Sequence, residues 1–317
     1  MEALPQQNLL PLWTQMTKMV PPRPNPTRCR RSREASSHAH QPSIRHVFST
    51  DAALTACTAL TLSSTDAPYT TNTIYGGLQL ILPNETAPAH RHVAFALRFI
   101  IEGEKGFTAV EGQKMVMKRG DAILTPSWLW HDHGNEGSEP VVWLDGLDLP
   151  MFVHAPVNFA ENYAELRYPS KISEDCEWQH PWNTVAASLA LKTGPHRVHH
   201  YTSKGQPLSK SLGAQAEMIA AGHTTAVQQE TCSFIYHCFE GRGQTHITTS
   251  DGKQTTFMWA SKDTFAVPAW SKVVHVNEDE SETAYLFAIN DRPFLENLGL
   301  YRKAGECFNN RVLVQGS

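Results

Sequence analysis

The sequence predicts a mainly β protein, with two β-barrels in tandem behind a short helical and irregular N-terminal arm. Three observations predict it. From Tyr69 the chain breaks into short β-branched and aromatic runs punctuated by Gly, Pro and Asn, the texture of a sandwich or barrel. The same texture returns at Leu212 and continues to about Phe294. The two stretches are also related, for GDAILTPSWLWHDHGN at 120–135 aligns with KDTFAVPAWSKVVHVN at 262–277. On that diagonal Asp121 meets Asp263, Pro126 meets Pro268, Trp128 meets Trp270, His133 meets His275 and Asn135 meets Asn277. Upstream, FIIEGEKG at 99–106 matches HCFEGRG at 237–243 with one extra residue in the first copy, and an internal repeat of a β unit implies duplicated barrels.

Taken in order, residues 1–67 form the arm. Leu9, Leu12, Trp13 and Met16 stand near helical spacing, so residues 1–20 read as a short helix that Pro21 and Pro22 end. Residues 23–50 are basic, Ser-rich and poor in apolar side chains, which predicts disorder or poor packing. Residues 51–65 are rich in Ala, Thr and Leu and fit either helix or strand. The first barrel spans 68–160, with strands in TNTIYGGLQLIL, FALRFII, FTAV, KMVMK, AILTP and PVVWLDGL. Residues 161–210 carry more helix-like stretches and turns and read as a connector, 211–305 as the second barrel, and 306–317 as a tail.

Composition narrows the function. With 317 residues, 41% hydrophobic residues and a net charge of −4, the chain reads as an ordinary globular protein with no basic surface for nucleic acid. No apolar run approaches a membrane span, and the N-terminus lacks the basic start and unbroken apolar stretch of a signal peptide. Cys29, Cys57, Cys176, Cys232, Cys238 and Cys307 are scattered without a CxxC pair, so buried or idle thiols in a reducing, cytoplasmic setting are expected.

Among 16 histidines, four fall in two HxH pairs that lie in strand-like segments about forty residues apart. A strand sends alternate side chains to one face, so His90 and His92 stand side by side with Arg91 opposite. His131 opens a second pair, His131-Asp132-His133, after the turn at Thr125-Pro126-Ser127. Three imidazoles on rigid strands would form one face of an octahedron and leave the other positions open, as a catalytic metal site does. Imidazole suits iron, zinc, copper and nickel alike. Zinc hydrolysis would need a nearby acid/base, and no HExxH or comparable signature is present.

The spacing Gly120-x5-Pro126-x-Trp128-x2-His131-x3-Asn135 resembles the second cupin motif, and His90-x-His92 followed by Gly103 resembles the first. The usual cupin Glu after the second His is missing, with Ala96 and Leu97 in its place. The longer string APAHRHVAFALRFIIEGEKGFTAVEG, with GDAILTPSWLWHDHGN and WLDGLD, resembles the bicupin ring-cleaving dioxygenases of the gentisate 1,2-dioxygenase family, as do LLPLWTQMTKMVPPRP and TIYGGLQLILP. The resemblance implies two cupin (double-stranded β-helix, jelly-roll) barrels. It also implies one Fe(II) per chain, held in the N-terminal barrel by His90, His92 and His131. The implied reaction opens gentisate with O2 to maleylpyruvate. Salicylate and 1-hydroxy-2-naphthoate are the alternative substrates, a homo-oligomer, often a tetramer, is implied, and neither nucleic acid nor membrane is a partner.

The resemblance places further residues. Arg98 matches the arginine that pairs with the substrate carboxylate, and it shares strand parity with His92; the alternative is a surface arginine. His133 matches a histidine near the substrate oxygen that assists proton transfer, the alternative being a structural hydrogen bond. Asp145, on the face of Val141 and Trp143, matches an aspartate near the distal hydroxyl, with Asp148 a weaker candidate. Tyr75, Gly77 and Gln79 fall where the family lines its pocket. Trp128 and Trp130 either wall the pocket or pack elsewhere, and Trp13 packs in the arm.

Two departures stand out. Residues 27–65 do not match the family's aromatic and Arg-containing segment, and Arg23, Arg28, Arg30, Arg31 and Arg45 are unranked substitutes for an arginine it supplies. In the second barrel Gln228, Glu230 and Val273 stand where His90, His92 and His131 stand in the first, which predicts a metal-free barrel with His275 as a hydrogen-bonded core residue. An inactivated, ligand-binding bicupin is therefore a competing reading, and a zinc-dependent isomerase or hydrolase a more distant one.

Overall fold

The computed structural model describes residues 70–305, together with the backbone of three short upstream strands, Leu9–Pro11, Ser43–Ile44 and Cys57–Leu60. The first barrel is two sheets face to face. Tyr75–Ile81, Val141–Leu147, Ala96–Glu102 and Ala122–Thr125 are the middle of one, with Cys57–Leu60 and Leu9–Pro11 added at one edge and Gln179–His180 at the other. The second sheet runs Ala160–Asn162, Thr86–His92, His131–Asn135, Gly106–Val110, Gln113–Val116 and Lys171–Ile172.

The run ALRFIIE has no polar side to give to water, and the fold uses both its faces. Ile100 packs inside the first barrel with Val110, Met115 and Trp143. Leu97, Phe99 and Ile101 point the other way, into a core shared with Ile235, Phe239, Phe287 and Ile289 of the second barrel. Phe99 and Phe287 stack across this junction with ring centroids 4.1 Å apart.

The second barrel repeats the first. One sheet runs His196–His200, Gly213–Ile219, Ala284–Asn290, Phe234–Glu240, Thr264–Val267 and Ser43–Ile44; the other runs Gln228–Gln229, Lys272–Asn277, Arg242–Thr248 and Gln254–Ala260. Registers and turns coincide. His131 pairs with His90, and Val273 pairs with Gln228. The Trp128 and Trp270 amides donate to the His92 and Glu230 carbonyls at 2.8 Å, both from a left-handed φ near 60°. Gly103 and Gly241 occupy equivalent turns at φ 91° and 94°, and a Cβ on Gly103 would lie 2.5 Å from the Pro140 carbonyl oxygen.

Three expectations need correction. Within the helix expected over 1–20, Leu9–Pro11 is a strand paired with Thr58, Ala59 and Leu60; extending an open sheet edge satisfies backbone groups that so short an isolated helix leaves to water. Within the stretch expected to be disordered, Ser43–Ile44 pairs with Phe265 and Thr264 for the same reason. The expected connector is woven into both barrels. Its Lys171–Ile172 and Gln179–His180 join the first barrel, Trp182–Ala190 is a helix, and His196–His200 pairs with residues 215–219. HRVHH escaped notice as a strand because it lacks apolar alternation. The remainder of the arm, including Trp13 and the five candidate arginines, and residues 306–317 lie outside the described residues. Among the described residues no helix is long and apolar enough to cross a membrane.

Candidate metal centre and substrate pocket

The strands Thr86–His92 and His131–Asn135 run antiparallel, and His131 lies directly opposite His90. Strand alternation turns Arg91 and Asp132 to the outside, where each is pinned. Arg91 is sandwiched between the Trp128 and Trp130 rings, 4.5 and 4.4 Å from their centroids, and its Nη2 is 2.6 Å from Glu161 Oε2. Asp132 accepts from Arg167 Nε at 3.0 Å and from the Tyr168 amide at 2.8 Å. The two tryptophans thus brace the outer face of the ligand strand and do not wall the pocket.

On the inner face His90, His92 and His131 converge. Their ring centroids are 4.4 to 5.5 Å apart, and one nitrogen from each lies within 4.8 Å of the other two. Each ring is fixed in the same manner, with Nδ1 2.8 Å from a backbone carbonyl: Pro88 for His90, Ala94 for His92 and Leu129 for His131. Those bonds place the proton on Nδ1 and leave the Nε2 lone pairs for a shared centre. His131 Nε2 is fully buried without a hydrogen-bond partner. Burial lowers all three pKa values, that of His92 to about 3, with repulsion from its neighbours adding to the effect. Three neutral imidazoles with an orphaned inward nitrogen fit a divalent transition metal, and no other such group occurs among the described residues.

Arg98 is 5% exposed, which removes the surface alternative. The parity argument that pointed it inward does not hold. A turn at 93–95 transfers the chain to the other sheet, and Arg98 faces the histidines from that sheet. Its Nε is 3.0 Å from Asp145 Oδ1 and its Nη1 donates to Thr125 Oγ1. Asp145 sits between Gly77 and Arg98 in the strand pairing, and Gln79 lies opposite Trp143. Gly77, Asp145 and Arg98 therefore form one row across the sheet. Tyr75 is buried with its hydroxyl over Gly77, where a Cβ would be 2.5 Å away. Gln79 is half-buried.

His133 is buried, its ring 5.5 Å from that of His131, and its Nδ1 is 2.9 Å from Thr108 Oγ1. The repeat reproduces this contact between His275 and Thr245 at 2.8 Å, so the His–Thr pair is a feature of both barrels. A threonine two residues after the aligned Gly106 and Gly243 was a readable signal for it. Asp148 does not line the pocket; it bonds the Phe95 amide and Ser211. In the second barrel Glu230, at the position of His92, is paired with Arg292, whose Nη2 lies 2.7 Å from its carboxylate.

Two jelly-roll barrels in tandem, the first holding a three-histidine group, define a bicupin. A cupin-domain family model matches residues 77–147. Gentisate 1,2-dioxygenase of a Ralstonia species is 30% identical over 96% of this chain and 93% of its own. The 5-aminosalicylate 1,2-dioxygenase of a Comamonas species is 32% identical over 74% of this chain and 69% of its own. Salicylate 1,2-dioxygenase from Pseudaminobacter salicylatoxidans superposes with a TM-score of 0.73 over 95% of both chains at 24% identity, which shows the shared fold. The chain belongs to the gentisate 1,2-dioxygenase family of aromatic ring-cleaving dioxygenases.

Proposed function

We propose that this chain is an Fe(II)-dependent dioxygenase that opens gentisate between its carboxyl-bearing and hydroxyl-bearing carbons to give maleylpyruvate. The observation that carries the reading is the common aim of three imidazoles, each with Nδ1 tied to a backbone carbonyl. When bound, the iron supplies open positions where a hydroxy-acid and O2 meet and exchange electrons. The chain does the rest. Arg98, anchored by Asp145 and Thr125, receives the substrate carboxylate. His133, neutral and steadied by Thr108, takes up the proton of the ring hydroxyl. Asp145 faces the distal hydroxyl, and Tyr75, Gly77 and Gln79 bound the ring. Residues 68–160 serve as the catalytic barrel and 211–305 as a metal-free support. A cytoplasmic setting suits the buried free thiols Cys176, Cys232 and Cys238, and the family resemblance implies a homo-oligomer.

A second reading keeps the chemistry and changes the acid, since the 32% identical relative is named for 5-aminosalicylate. The test is aerobic incubation of the Fe(II)-loaded protein with gentisate, 5-aminosalicylate, salicylate and 1-hydroxy-2-naphthoate, following O2 uptake for each and maleylpyruvate absorbance for gentisate, with His131→Ala as control. Product from gentisate supports the proposal. Product from another acid alone shifts the substrate, and bound iron without O2 uptake on any of them overturns the reaction.

A further inference from the structure

We infer that Asp148 and Glu111 are positioning residues for the metal ligands His92 and His131, each acting through one intervening peptide group, and that Ser211 of the C-terminal barrel holds Asp148 in that role. The inference rests on the three-histidine centre proposed above. The Ala94 carbonyl that accepts from His92 Nδ1 belongs to the same peptide plane as the Phe95 amide. That amide donates to Asp148 Oδ1 at 2.9 Å. Behind His131 the arrangement repeats. The Leu129 carbonyl accepts from Nδ1, and the Trp130 amide of the same peptide donates to Glu111 Oε1 at 2.7 Å. Behind His90 the peptide ends on a neutral group, the Ala89 amide donating to the Leu166 carbonyl at 2.9 Å.

A carboxylate on the N–H side of a peptide polarises its C=O, and the polarised oxygen holds the imidazole N–H more firmly. A ligand histidine hydrogen-bonded directly to a carboxylate gains basicity and a fixed ring orientation. Here the peptide is inserted between the two and carries the same effect in reduced form. For His92 the chain of contacts extends into the other barrel, since Ser211 Oγ donates to Asp148 Oδ2 at 2.5 Å. The metal-free half thereby supports the centre in the first half.

The duplicated fold contains its own control. Asp291 follows Ala284–Asn290 as Asp148 follows Val141–Leu147. Its Oδ1 accepts from the Ser233 amide at 2.8 Å, and its Oδ2 from Thr73 Oγ1 of the first barrel at 2.5 Å. The geometry is that of Asp148, but the position of His92 is taken by Glu230. Asp291 therefore joins the barrels in the same way without a metal ligand to act on.

The experiment measures equilibrium Co(II) binding to the full-length apo protein by ligand-field absorption at mildly alkaline pH, with thermal melting to verify folding. Asp148→Asn keeps the acceptor and removes the charge, and it is expected to weaken binding by about 10-fold, the lower end for lost outer-sphere partners of metal ligands. Ser211→Ala is expected to weaken binding in the same direction, as is Glu111→Gln, whose exposed side chain is replaced without disturbing a core. Asp291→Asn is expected to leave Co(II) affinity unchanged. Unaltered affinity in both Asp148→Asn and Glu111→Gln would overturn the inference, as would equal weakening in Asp148→Asn and Asp291→Asn, which would mark general loosening. Absence of Co(II) binding in the unsubstituted protein would overturn the metal centre itself.

Discussion

Arg98 and Asp145 face each other from paired strands, with Nε 3.0 Å from Oδ1 and both side chains more than nine-tenths shielded from water. Burial by itself raises the Asp145 pKa, the nearby guanidinium opposes this, and the net shift is upward. Neither charge is tolerable there without the other. Asp145→Ala should therefore cost about 3–5 kcal/mol of stability, because it strands a buried cation. Arg98→Met with Asp145→Leu should recover much of that loss while ring cleavage stays absent. Denaturant unfolding alongside O2 uptake checks both, and a single variant as stable as the parent would contradict the pairing.

Gly77 has no room for a side chain. A Cβ would stand 2.5 Å from the Tyr75 hydroxyl oxygen, so Gly77→Ala must displace the Tyr75 ring. The expected outcome is a fall in kcat/KM for gentisate of at least about tenfold, or 1.4 kcal/mol. Adding Tyr75→Phe, which removes the nearest atom, should return part of it. Steady-state kinetics on the four members of this cycle provide the measurement, and strict additivity would show the two positions to be independent.

Asp291 is held up to about 6, from an ordinary 3.8, chiefly by burial against which hydrogen bonds from Thr73 and Ser233 work. A raised carboxyl pKa means the folded state binds the proton more tightly. This group's contribution is then complete below the ordinary carboxylate range and is lost as pH rises through about 6. Two units correspond to about 3 kcal/mol at most. Asp291→Asn should flatten the stability profile across that window relative to the parent. Melting curves from acid to neutral pH decide it, parallel profiles being the adverse result.

Glu230 is 5% exposed and partners Arg292 at 2.7 Å. Glu230→Gln should destabilise the C-terminal barrel by several kcal/mol, since the guanidinium keeps its charge after losing its counterion. Metal content should be unaffected. Metal analysis with chemical denaturation tests both halves, and loss of metal would move the assignment of the centre.

Much of this molecule was legible beforehand. The HxH pairs were visible because strand alternation is a local rule, so His90 and His92 had to share a face once their segment was a strand. The repeat exposed the barrels and forecast Gln228 and Val273 at the positions of His90 and His131, which the registers reproduce. Local rules fail across a turn. The bend at 93–95 defeated the parity argument for Arg98, which lies buried beside Asp145 on the facing sheet. Strands such as His196–His200 were missed because they are held by backbone pairing and carry no apolar alternation.

Primary structure carried the duplicated β architecture, the three histidines and the loss of their counterparts in the second half. Periodicity, spacing and side-chain identity are written directly in the order of residues. Tertiary structure alone decided what surrounds them: Arg98 against Asp145, Thr108 against His133, and Asp148 against a peptide behind His92 and a serine in the other barrel. Those partners are brought together by sheet packing and by backbone amides that every residue but proline possesses, so no pattern of side chains announces them.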